Sequence, residues 1–81
     1  MYSVCLLESI SDRSRRYVGL TTQTVSSRLQ EHNDGKSIHT NKFRPWRCVV
    51  QIAFEDRTKA EEFERYLKHG SGHAFAKRHF W

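Results

Sequence analysis

Tyr2-Ser3-Val4-Cys5-Leu6-Leu7 and, after a polar interval, Tyr17-Val18-Gly19-Leu20 are the two stretches from which the rest of the chain can be read. Each is an apolar, β-favouring run of strand length. Residues 9–16 between them hold Asp12 and three serines, the composition of a turn. Two strands joined by a short polar loop predict an antiparallel hairpin.

Beyond the hairpin, Thr21, Thr22 or Thr24 is placed to cap a helix. Val25, Leu29 and His32 follow at i, i+4 and i+7, one helical face, with Arg28 beside it. Gly35 marks the stop. Residues 36–45 read as a basic loop closed by Pro45, and residues 46–54 (Trp-Arg-Cys-Val-Val-Gln-Ile-Ala-Phe) as a third strand. Thr58 and Glu61 fit a capping box for a second helix, with Ala60, Phe63 and Leu67 as its buried stripe and Tyr66 widening it. Gly70-Ser71-Gly72 reads as a break, after which a short turn or helix over residues 73–77 returns Phe75 and Phe80 to the core. The order predicts an α+β fold, a small three-stranded antiparallel sheet flanked by helices.

The 81 residues suit one domain, spanning 1–81. Such a chain buries about 60% of its unfolded surface, so five Phe, three Tyr and two Trp must supply much of the core. The two cysteines, Cys5 and Cys48, lie inside apolar runs, which predicts buried free thiols in a reducing compartment. Neither a membrane span nor a secretory leader is expected, and the reading is cytoplasmic. The formal charge of +5 calls for an anionic partner. Basic residues without acids cluster from Lys36 through Lys42 and Arg44 to Arg47, and again from Arg65 through Lys68 and Lys77 to Arg78. Lys36, Lys42, Arg44, Arg47, Lys68 and Lys77 are the expected contacts for such a partner, which the resemblance below implies is DNA.

The hairpin, the helix and the tail together resemble the GIY-YIG nuclease family. The likeness is to its small single-domain bacterial branch, related to the N-terminal domain of an excinuclease. Tyr17-Val18-Gly19 matches the second family tripeptide, and Ser3-Val4-Cys5 occupies the place of the first. Arg28, His32, Asn33 and Gly35 match the first-helix pattern. Pro45-Trp46, Ala60 with Glu64, and the tail from Tyr66 to Lys77 match the remainder.

The resemblance implies hydrolysis of DNA phosphodiester bonds, an endonuclease assisted by one Mg²⁺ or Mn²⁺. It implies Glu64 as the metal-binding carboxylate, Arg28 on the scissile phosphate, Tyr17 as proton acceptor or donor to the attacking water, and His32 as orienter or shuttle. Cys5 stands where the family has a tyrosine, so the alternative is a weak or inactive DNA-binding module. The family's C-terminal asparagine is also missing, since no Asn follows Asn41. A zinc module built on Cys5, Cys48, His69 and His73 is disfavoured, because the cysteines stand 43 positions apart without a short Cys-x-x-Cys pair. A Cys5 nucleophile is disfavoured because nothing near it in sequence lowers a thiol pKa. The oligomeric state is left open, with a monomer compatible.

Overall fold

A computed structural model of the chain describes residues 1–35 and 41–81. The expected contact at Lys36 and the first half of the basic loop lie outside the described residues, as does the side chain of Val25. Strands β1 (Tyr2–Ser9) and β2 (Arg16–Thr21) form the hairpin, and helix α1 (Val25–Asn33) follows. A single 3-10 turn, Asn41–Phe43, leads into β3 (Trp46–Phe54). Helices α2 (Arg57–Lys68) and α3 (Gly70–His79) close the chain. This is the three-stranded antiparallel α+β architecture read from the sequence.

The strand order is β2-β1-β3, with β1 antiparallel to both neighbours. Central position explains why β1 is buried along almost its whole length, on both faces. Val4 and Leu6 point to one side and pack with Ala60, Leu67 and Ala76 of α2 and α3, flanked by Val18, Leu20, Phe54 and Phe63. Cys5 and Leu7 point to the other, with Trp46, Tyr17, Leu29 and Phe43. The alternation of β1 thus feeds two separate cores.

Several local expectations are corrected. The cap of α2 is Asp56, whose carboxylate accepts from the Thr58 N–H at 2.8 Å, not Thr58 itself. Tyr66 stands 43% exposed instead of widening the buried stripe. Gly70-Ser71-Gly72 does not interrupt the structure; it is the first turn of α3, and the break is the one extended residue His69. A Cβ at Gly72 would lie 1.7 Å from the Tyr66 carbonyl oxygen, so only glycine lets α3 lie this close to α2. Phe75 is 36% exposed, while Phe80 does pack against the core. Cys48 is half-buried, Cys5 fully so, and both are free thiols.

Candidate functional site

The tripeptide Tyr17-Val18-Gly19 sits on β2 with its alternate residues, 17 and 19, on the α1 side of the sheet. The Tyr17 ring lies along its own strand, over Gly19. A Cβ at Gly19 would meet Tyr17 Cε1 at 2.6 Å and its hydroxyl oxygen at 3.1 Å. The glycine therefore makes room for the phenol to lie flat, which is the physical content of the Tyr-x-Gly spacing. Gly19 pairs across the ladder with Cys5, so the phenol is directed toward the strand position of Cys5.

Helix α1 covers this face. Thr24 caps it, its hydroxyl accepting from the Ser27 N–H at 3.2 Å. At its other end Asn33 grips β3: the Asn33 Nδ2 donates to the Trp46 carbonyl at 3.1 Å, and the Trp46 N–H donates to Asn33 Oδ1. One side chain thus replaces a backbone ladder rung and fixes the helix on the sheet. His32, one residue earlier, is completely buried, and its ring packs against Tyr17 with centroids 5.0 Å apart. Arg28, one turn back, donates to Glu31 at 3.0 Å and keeps 30% of its side chain exposed. Its guanidinium is near enough to Cys5 and His32 to act on the titration of both.

The electrostatics separate the groups that can titrate near neutrality from those that cannot. Burial pushes the Cys5 thiol up to about 11, Cys48 adds to the rise, and Arg28 opposes it. Cys5 is therefore a neutral thiol at pH 7, neither base nor nucleophile. Burial, and then Arg28, lower the pKa of His32 against an opposing pull from Glu31, so its imidazole is kept neutral.

Glu64 comes from the other layer. Its carboxylate, 22% exposed, sits 3.7 Å from Lys68, one turn later on α2. Helix α2 packs chiefly on α3 and, within the sheet, about equally on β2, the strand of Tyr17, and on β1. Lys68 lines a groove together with Arg16, Tyr17, Val18 and Trp81. Arg28 lines a different open cleft, at the far end of β2, with Tyr2, Thr21, Gln23 and Arg57. The structure thus groups Cys5, Tyr17 and His32 on the α1 face, with Arg28 near Cys5 and His32, while Glu64 stands on α2, which packs on the opposite face of the sheet. Among the described residues no group of three or more His, Cys, Asp or Glu is placed to hold a metal ion, so the four-ligand zinc arrangement finds no support. A lone, partly exposed carboxylate with one long ion pair fits a hard, mostly hydrated cation instead.

Of the expected DNA contacts, Lys42, Arg44, Arg47, Lys68 and Lys77 are exposed. Arg47 is also committed to a buried acid, Glu8, at 2.8 Å. Local sequence does not reveal the role of Glu8, because its partner Arg47 lies 39 residues away. The nearer arginines, Arg13 and Arg16, are legible only as turn residues.

A family model described as the GIY-YIG catalytic domain matches residues 1–77. The chain belongs to the GIY-YIG family. It is also 37% identical over 76 residues to "Structure-specific endonuclease subunit SLX1" of Candida glabrata, a match covering 85% of this chain. The chain spans about a quarter (24%) of that relative's length. Among the described residues no helix is long and apolar enough to cross a membrane.

Proposed function

We propose that this GIY-YIG domain is a divalent-cation-dependent DNA endonuclease that recognises DNA structure and backbone instead of base sequence. The observation that carries the reading is the packing of His32 against Tyr17 on the α1 face, with the Arg28 guanidinium near enough to His32 and Cys5 to act on both. Phosphodiester hydrolysis needs a water relieved of its proton, a neutralised phosphate and a stabilised leaving oxygen. Arg28 has five N–H donors, and its bond to Glu31 leaves others for a phosphate oxygen. Tyr17, having passed its own phenolic proton to a neighbouring acceptor, takes a proton from the attacking water as the water oxygen bonds to phosphorus. His32, neutral and packed at a tilt against the phenol ring, orients it and offers an acceptor for its proton. The scissile P–O bond then breaks and the leaving oxygen is reprotonated from solvent. Glu64 would hold Mg²⁺ or Mn²⁺ with water and substrate oxygens completing the shell, and the ion would supply charge neutralisation of the phosphate. The relative's printed description as a structure-specific endonuclease subunit supports a substrate chosen by its structure, and DNA repair is the setting this reading proposes.

A second reading is favoured by one specific observation. The position of the first motif tyrosine holds a buried, un-ionised thiol, so the domain has lost one phenol and is a weak or silent nuclease that still binds DNA. A cleavage panel on single-stranded, duplex, flapped and branched DNA, with and without Mg²⁺ or Mn²⁺, separates the two. The nuclease reading expects metal-dependent cuts that Glu64→Gln reduces by at least roughly 10³-fold, the loss of several kcal/mol of charge stabilisation. It also expects Cys5→Tyr to raise the rate. Cleavage indifferent to chelation, or equal in Glu64→Gln, would refute it. Salt-sensitive binding with no cleavage until Cys5→Tyr is introduced would establish the second reading.

A further inference from the structure

The three strands line up one row of charge. Register pairs Glu8 with Arg16 on β2 and with Arg47 on β3, so an acid stands between two arginines at the hairpin end of the sheet. The Glu8 carboxylate is 8% exposed and meets three guanidiniums: Arg47 at 2.8 Å, Arg13 at 3.3 Å and Arg16 at 3.9 Å. Hydrogen bonding from Arg47 holds its pKa below the ordinary carboxylate range, so it is charged at neutral pH. One carboxylate cannot neutralise three guanidiniums, and these keep 48%, 65% and 37% of their side chains exposed, in that order.

Further cations are fixed beside them by ring contacts. The Arg15 guanidinium carbon lies 4.6 Å from the centroid of the Phe43 ring, and the Lys42 ammonium 5.6 Å from the same ring. Arg16 lies 5.0 Å over Trp81. The two chain segments are tied together: the Ile10 N–H donates to the Pro45 carbonyl at 2.9 Å, and the Ser9 hydroxyl donates to the Phe43 carbonyl. Within residues 8–16 and 42–47 there are six Arg and Lys side chains against two acids, Glu8 and Asp12. That excess of four nearly equals the formal +5 of the whole chain.

We propose that this end of the sheet is a docking surface for the DNA backbone, in which Glu8 holds the arginines in a fixed comb next to Tyr17. The proposal rests on the nuclease reading for its choice of partner. Arginines whose orientation is already fixed lose less entropy on meeting phosphates. DNA offers them a continuous line of charge, one per roughly 1.7 Å of duplex. Arg16 immediately precedes Tyr17 in β2, so backbone held by the comb passes beside the phenol. The arginines of the hairpin turn are thereby binding residues that neither basic segment of the sequence contains.

Fluorescence anisotropy on a short labelled duplex, across a salt series, tests this with the full chain. Arg13→Ala with Arg15→Ala removes two charges from the comb. Lys59→Ala with Arg65→Ala removes two from exposed positions of α2 and serves as the charge-matched control. The comb variant is expected to bind about 10- to 100-fold more weakly. It should also flatten the slope of log K against log salt by about 1.8, the loss of two phosphate contacts. The control should stay within about twofold. Both variants should melt as wild type does. A small chromogenic phosphodiester, too short to reach the comb, should be hydrolysed by wild type and comb variant alike. If neither hydrolyses it, the nuclease reading fails while the anisotropy still judges the surface. The docking proposal is overturned if the control weakens binding as much as the comb variant does. It is also overturned if the comb variant leaves affinity and slope unchanged, or if labelled polyglutamate binds as tightly as DNA.

Discussion

The two faces of the same three strands have been put to opposite uses. Toward α2 and α3 the sheet presents Val4 and Leu6 to Ala60, Leu67 and Ala76, all fully buried and all apolar. Toward α1 the corresponding residues are Cys5 and Leu7, and what covers them is a phenol, a buried imidazole and an arginine. The first face gains stability from area removed from water. The second spends part of that gain on burying polar groups. The comparison teaches a division within one sheet: the apolar face carries buried hydrocarbon, the other gathers the polar groups of the proposed chemistry, and only Glu64 of the proposed set comes from the α2 layer.

The largest expected effect therefore comes from the apolar face. Leu67, 1% exposed, is among the most buried side chains of α2. Leu67→Ala should cost about 2–5 kcal/mol, a large fraction of the stability of so small a domain. Cys5→Ala, at similar depth on the α1 face, should cost only about 1 kcal/mol. Urea unfolding of the two variants checks the contrast; equal losses would mean the two cores bear the fold equally. Next in size is Arg28→Ala. Its side chain is 30% exposed and its ion pair with Glu31 lies within α1, so stability should change by less than about 1 kcal/mol. Cleavage of DNA should nonetheless slow by on the order of 10²- to 10³-fold, the scale for losing one positioned donor to a developing anion. A variant that unfolds, or one that cuts at the wild-type rate, would erase the proposed division between the faces.

Much of this division is readable in the sequence. Strand β3 is legible to the residue, because Trp46, Cys48, Val50, Ile52 and Phe54 alternate through a run rich in β-branched side chains. The site is legible as a set of residue types, Tyr17, Arg28 and His32, but not as a constellation. What lays the Tyr17 ring flat is the missing side chain of Gly19. What holds α1 in place is Asn33 gripping the Trp46 backbone, 13 residues on. Local spacing carries neither contact. Helix α3 departs from expectation for a related reason: Gly70 and Gly72 are breakers by propensity, yet Gly72 is needed where α3 meets the Tyr66 carbonyl. Glu8 is hidden inside an apolar run, since the arginine that makes its burial tolerable comes from another strand.

The smallest effect concerns acid. His32 has its pKa lowered from 6.5 by burial and then by Arg28. A base held neutral in the folded state takes up its proton more readily when the chain unfolds. The stability it permits is complete above about 6.5 and is lost as the pH falls from there through the lower folded value. Glu8 acts in the same direction but further down: its depressed pKa stabilises the fold above the ordinary 4.5 and stops doing so as the pH falls through the folded value. Melting temperature should accordingly decline in two stages on acidification. His32→Gln should flatten the first stage, which begins as the pH falls below about 6.5, and leave the second intact. If His32→Gln kept the first stage at full size, the imidazole on the α1 face would not be the group that acid attacks first. The weakness would then lie among the carboxylates at the hairpin end, and the two faces would be alike in their response to pH.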